Sequence, residues 1–102
     1  MGTSLPVDPK LVVTTDEIPG YRITKAFGIA EGLGISIYTG MFPGGQKNVL
    51  TDTMRQAYFD MLTKAASQGA NAIVGVRYAT PSSANERVVL VYGTAVAVQK
   101  AS

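Results

Sequence analysis

Few residues in this chain have side chains able to do chemistry, and their types limit what that chemistry is. There is no cysteine and no histidine. Disulfides, thiol nucleophiles and the thiolate or imidazole ligands that soft and borderline metals prefer are therefore absent. The sulfur donors are Met1, Met41, Met54 and Met61. Met54 and Met61 share one helical stripe, where methionine ordinarily fills a core. Hard-ion binding needs clustered oxygens. Asp16-Glu17 is the adjacent acidic pair, and a solvated turn accounts for it. Asp52 and Asp60 stand eight residues apart, too far along a helix to share a proton. Gly32-Leu33-Gly34 and Gly44-Gly45 hint at a phosphate cradle. Neither completes GxGxxG ahead of a helix, and no Gly-Lys-Ser/Thr occurs, so turn or loop glycines explain them better. No spacing supports a Ser–Lys or Tyr–Lys pair. Arg22, Arg77 and Arg87 fall on three predicted strands, among small and apolar neighbours. Surface pairing is the plain explanation; the functional one is a basic rim, repeated by symmetry, that binds an anionic ligand. The expectation is a protein that is not an enzyme and carries no cofactor.

The elements that must hold these residues come from one small domain of 102 residues. Only 16% of residues are charged and 46% are apolar, against about 25% charged in an ordinary soluble domain. Surface covered by another copy needs less charge. The net charge of +2 is small and scattered, with no three adjoining basic residues, so nucleic acid is not an expected partner. No apolar run reaches the ~20 residues that span a membrane, and MGTSLPVDPK does not read as a signal peptide. A cytoplasmic location is expected.

Residues 1–9 hold two prolines and no periodicity and are read as a flexible arm; residues 10–102 form the domain. Leu11–Thr15 is a β-branched run, the first expected strand, and Asp16–Gly20 a turn. Tyr21–Glu31 is the second strand. Tyr21, Ile23, Phe27 and Ile29 take one side; Ala26, Gly28 and Ala30 on the other admit a close-packed helix or another chain. Gly32–Lys47 is rich in glycine yet apolar, which suggests an ordered loop, with room for one short strand. Thr53-Met54-Arg55-Gln56 matches a capping box, with Thr51 or Asp52 as alternative caps. Met54, Ala57, Tyr58, Met61, Leu62 and Ala65 then recur at helical spacing, with Phe59 at the edge of the stripe. Gly69 stands where a helix needs a left-handed residue to stop. Ala72–Tyr78 alternates as a strand, Thr80–Asn85 is a loop, and Arg87–Gln99 is the last strand, apolar on both faces. The expected architecture is α+β, β-β-α-β-β: an antiparallel sheet of about four strands with one helix on one face.

Four blocks in this order resemble the YbjQ-like family, often labelled heavy-metal-binding domains: VVTT (Val12–Thr15), IPGYRITKAFGIAEG (Ile18–Gly32), GANAIVGVRY (Gly69–Tyr78) and YGTAV (Tyr92–Val96). The resemblance covers roughly Leu11–Val98, and the Gly-Ala-Asn-Ala-Ile-Val-Gly-Val run is its most specific part. It implies a dodecin-like subunit fold and a ring-shaped homo-oligomer, with a pentamer first. It implies no agreed activity. The chain departs from the family at Leu33–Leu50, which is shorter, more apolar and less charged.

One helix covers one face of a small sheet, so a strand apolar on both faces calls for a partner. Self-association is the expected partnership, with Tyr38, Phe42 and Phe59 as contact residues. The leading functional expectation is a ring-forming binding or scaffold module. The alternative is a metal- or small-ligand-binding protein with its site at subunit interfaces.

Overall fold

A computed structural model describes residues 5–37, 45–79 and 86–101. A 3-10 turn (Pro9–Leu11) precedes β1 (Tyr21–Ile37), α1 (Gly45–Ser67), β2 (Ala72–Ala79) and β3 (Glu86–Lys100). Among the described residues the sheet is antiparallel and has three strands, in the order β1-β3-β2. The class is α+β with one helix, as expected, but the order is β-α-β-β.

The expected strand over Leu11–Thr15 is a correction. Asp8 caps the turn by accepting from the Lys10 N–H at 3.0 Å, and Leu11 is consumed in it. The residues after Leu11 run beside β2 without forming a ladder: Val12 bridges Ile73, Val13 N–H donates to Ile73 O at 2.9 Å, and Val76 N–H donates to Val13 O at 3.0 Å. β2 breaks register between Val74 and Arg77, so it offers no continuous edge to pair. The loose arm expected over residues 1–9 does not describe Val7, which is 2% exposed and part of the core.

β1 is longer than Tyr21–Glu31 and absorbs the supposed loop through Ile37. Its register against β3 shifts twice, between Ile23 and Lys25 and between Ala26 and Gly28, the latter at φ +115°. These bulges turn Phe27 to the helix side, where it packs against the core and lies 5.0 Å from the Lys25 ammonium. Phe27 therefore does not share a face with Ile23 and Ile29, as simple alternation predicts. Beyond the bulges Ala30, Gly32 and Gly34 face α1. A Cβ on Gly32 would strike the Ala57 carbonyl, and one on Gly34 the Thr53 carbonyl. The small-residue face of β1 is thus a seat for a helix.

α1 starts at Gly45, eight residues ahead of Thr53. The Thr53–Gln56 pattern is not a cap: Thr53 is buried, and Gln56 Oε1 accepts from the Ile35 N–H at 2.9 Å. Thr53, Ala57, Met61, Leu62 and Ala65 form the buried row. Met54, expected in that row, is 39% exposed. The reason is the seat: α1 lies on glycine, so the row nearest the sheet is filled by Thr53 and Ala57, and Met54 is turned to the edge.

Gly69 ends α1 at φ +97°. Its N–H reaches Ala66 O at 3.0 Å and the Ala70 N–H reaches Ala65 O at 3.1 Å, the paired bonds of a Schellman stop. Asn71 then binds β3 three times: its N–H to Val96 O, its Nδ2 to Val98 O at 3.0 Å, and its Oδ1 from Val98 N–H at 2.8 Å. The Gly-Ala-Asn-Ala run is a structural device that joins helix end to sheet.

Two cores result. The helix-side core holds Ala30, Ala57, Met61, Leu62, Ile73, Val76, Val89 and Val91. On the other face Ile18, Leu11, Val13 and Tyr21 cover Ala72, Val74, Val96 and Val98. That cover stops half-way along β3.

Candidate functional site

The uncovered half of the outer sheet face is the most distinctive surface of the molecule. Register places Glu31 opposite Tyr92 and Tyr92 opposite Arg77, in one row across three strands. The next row is Leu33, Leu90 and Ala79, and beyond it Ile35 faces Val88. Neighbouring strands lie ~4.8 Å apart, so these side chains form one continuous patch. Leu33 is 44% exposed, Ile35 50%, Tyr92 41% and Ile29, at the near end, 71%. Among the described residues only β1 and β3 continue past β2, and a two-stranded ribbon with an apolar face is marginal alone.

The β1 edge is part-covered by α1. Asp60 Oδ2 accepts from the Leu33 N–H at 3.0 Å, and Gln56 accepts from Ile35. The Leu33 N–H holds the Asp60 carboxyl below its ordinary value; burial opposes this, and Lys64, 3.2 Å away, adds to the lowering.

A second apolar feature lies on the helix side, where Met54, Arg55, Tyr58 and Tyr78 line a groove of about 330 Å³. Burial raises the Tyr58 phenol, with Tyr78 and Asp8 adding to the shift, and burial raises Tyr78. Both stay protonated at neutral pH. Phe59 is 46% exposed and meets Tyr58 edge-on, centroids 6.5 Å apart. A smaller cavity of about 250 Å³ is lined by Glu17, Ile18, Tyr21 and Ile23.

Of the contact residues expected from sequence, Phe59 stands exposed beside the groove; Tyr38 and Phe42 lie outside the described residues, as do Met1, Met41 and the Thr80–Asn85 loop. The three arginines do not converge within one chain. Arg22 is opposite Gln99 and bonds it at 3.4 Å, while Arg87 is opposite Ser36. Twelve residues of β3 separate those positions, about 40 Å. The Arg77 guanidinium is tied to Thr14 O and Val76 O, each at 2.8 Å; the Arg87 side chain is outside the description. Asp16 and Glu17 are exposed on their turn, and Met61 is fully buried. Among the described residues no three His, Cys, Asp or Glu gather as metal ligands. Ile35 was expected from sequence to need cover and is 50% exposed; Glu31, Leu33 and Tyr92 were not singled out. The signal was there: Ile29, Glu31, Leu33 and Ile35 alternate with Ala30, Gly32 and Gly34, a strand read as a glycine-rich loop.

Residues 36–99 match the YbjQ_1 family model, described as "Putative heavy-metal-binding". The chain belongs to this family. Its YbjQ relatives include a UPF0145 protein of Burkholderia mallei (strain SAVP1), 39% identical over 110 residues and covering 92% of this chain and 97% of the relative. A UPF0145 protein of Burkholderia pseudomallei (strain 668) matches to the same extent. A crystal structure of a protein with unknown function from the DUF74 family of Pediococcus pentosaceus ATCC 25745 superposes with a TM-score of 0.71 at 19% identity. The match covers 86% of this chain and 96% of that one, and at that identity it supports the YbjQ fold alone. Among the described residues no helix is long and apolar enough to cross a membrane.

Proposed function

We propose that this YbjQ-family chain is a non-enzymatic binding or scaffold module of the cytoplasm. Its working form is a ring of identical, dodecin-like subunits, and five copies are the first expectation. One observation carries the reading: among the described residues Leu33, Ile35 and Tyr92, with half-buried Leu90 between them, form an exposed and largely apolar outer face. Burying apolar surface yields ~25 cal/mol per Å², and a standard contact removes ~800 Å² per partner, so such a face drives association. The ring number rests on the family resemblance.

The family description raises heavy metals, and the donor set does not fit them. The sequence has neither thiolate nor imidazole. Met61 is committed to the core, and Asp60 to the Leu33 amide. Tag-free protein dialysed against a chelator is expected to hold no stoichiometric zinc, copper or nickel; retained metal would reverse this part of the reading.

Light scattering at micromolar concentration tests the assembly. The wild type is expected well above 10.7 kDa. Leu33→Glu and Phe59→Glu weaken the oligomer more than Lys64→Glu on the polar helix face. A monodisperse wild-type monomer sinks the scaffold reading.

A further inference from the structure

We propose that the open edge of β1 at Ile29 and Glu31 docks an extended segment of a partner protein, which adds to the sheet as an antiparallel strand. The segment reads basic residue, any residue, aliphatic residue. This gives the binding reading a partner class and rests on it, but it uses the strand edge and not the outer face. The edge is defined by what α1 can and cannot cap. β1 lies at one side of the sheet, so alternate residues turn their N–H and C=O away from β3. Leu33 and Ile35 are two of these, since their N–H groups go to Asp60 and Gln56. Register gives Ile29 and Glu31, opposite Thr94 and Tyr92, the same orientation. Helix and strand advance together: four residues of α1, ~6.0 Å, match two of β1, ~6.6 Å. Gln56 meets Ile35 and Asp60 meets Leu33, so Lys64 is next in line, toward Glu31. A lysine ammonium is no acceptor, and this one is held by Asp60. Among the described residues nothing accepts from the Ile29 or Glu31 N–H. On its other side the window closes at the Ala26/Gly28 bulge, where pairing breaks.

An edge offering paired N–H and C=O groups at every second residue is completed by another backbone, which selects an extended chain over a compact ligand. Partner side chains opposite Ile29 and Glu31 share the face of those two residues. Ile29 is 71% exposed. Glu31 is exposed and, among the described residues, has no ion pair. An opposite charge across the strands therefore suits Glu31, and an aliphatic side chain suits Ile29. In an antiparallel partner the residue opposite Glu31 comes first, which sets the basic-to-aliphatic order.

The test titrates the blocked peptide Thr-Lys-Thr-Val-Thr into full-length, isotope-labelled protein followed by amide NMR. Bound antiparallel, its Lys and Val N–H groups face β1 and the central Thr N–H faces solvent. The largest shifts are expected at the Ile29 and Glu31 amides, with their exchange slowed. N-methylation at both Lys and Val weakens binding roughly thirtyfold, the worth of two backbone hydrogen bonds, whereas N-methylation at the central Thr does not. Glu31→Lys weakens the peptide about fivefold, and a peptide with Glu in place of its Lys recovers that loss. The N-methyl peptides need no protein variant, so the answer does not depend on how Glu31→Lys folds. No binding, N-methyl effects that do not depend on position, or shifts centred on Leu90 and Tyr92 overturn the edge and leave the assembly reading standing. Ile29 and Glu31 amides already protected from exchange in the free protein give the edge to a second copy and also overturn the proposal. A monomeric wild type that binds the peptide in this pattern upholds the edge and sinks the assembly reading alone.

Discussion

Replacing Gly32 with alanine tests the seating of α1 on β1 most directly. The added methyl would stand 2.5 Å from the Met61 nitrogen and nearer still to the Ala57 carbonyl, where ordinary contact begins at 3.4 Å. α1 must therefore retreat by at least 0.9 Å (3.4 − 2.5). Both obstacles are backbone, so no side chain can swing aside. Overpacking of this kind costs about 1–3 kcal/mol. The retreat also stretches the Asp60 and Gln56 bonds to the Leu33 and Ile35 amides, now 3.0 and 2.9 Å. Losing them adds roughly 1–3 kcal/mol together, since both are solvent-exposed. The sum is about 2–6 kcal/mol, against a total of roughly 5–15 for a domain of this length. Urea unfolding at fixed protomer concentration reads this as a midpoint lowered by roughly 1–3 M. Gly20→Ala is the control: its φ is +84° with nothing within 4 Å, so the expected loss is only about 1–2 kcal/mol of backbone strain. A Gly32→Ala midpoint no lower than that of Gly20→Ala would refute the seat.

Asn71→Ala leaves the Val98 N–H and carbonyl without their side-chain partners; about 2–4 kcal/mol is expected to be lost in the same assay. Asn71→Asp, which keeps the acceptor, should lose less. The lowered Asp60 carboxyl contributes stability that is present above its ordinary value of 3.8 and is lost as pH falls through the lowered one. Urea midpoints followed into acid should fall less steeply for Asp60→Asn than for wild type; parallel curves would contradict the Leu33 contact. Tyr58 and Tyr78 are raised by burial, so the folded form holds their protons longer and stability drains away as pH climbs above 10. Ultraviolet phenolate titration should lose its highest-pH component in the Tyr58→Phe, Tyr78→Phe double variant.

Much of the fold could be read from local rules. Gly69 ends the helix because a left-handed residue costs least as glycine, a signal carried by one position. The Ala72–Tyr78 alternation and the two-sided apolarity of β3 were equally visible. Other features needed information from distant residues. The bulges of β1 depend on its match to β3, so the place of Phe27 is not written in β1 alone. Thr53-x-x-Gln56 satisfies the rule for a helix start, but both residues are taken by the sheet, and the helix runs back to Gly45. Gly32 and Gly34 looked like loop residues because glycine's usual meaning is freedom; here it means contact. Asn71 gave no sign of its two bonds to Val98, which lies 27 residues away. Of the candidate site, the apolarity of both faces of β3 was legible, but part of its outer face is covered by Leu11, Val13, Ile18 and Tyr21 of the same chain, and the position of the open face depended on where that cover ends.

The amides of Leu33 and Ile35 are held by side chains of α1 rather than by a neighbouring strand. Their exchange with deuterated water therefore reports on how often the helix lifts, not on how often the sheet opens. When α1 lifts, it bares at once two unpaired donors and a side-chain-free track at Gly32 and Gly34, on a strand whose aliphatic row is already exposed on the opposite face. A long strand in that state is a template for another chain. The helix thus acts as a guard over a stretch suited to fibre growth. Variants that loosen it should precipitate in proportion to their Leu33 exchange rate, before any loss of β-sheet signal.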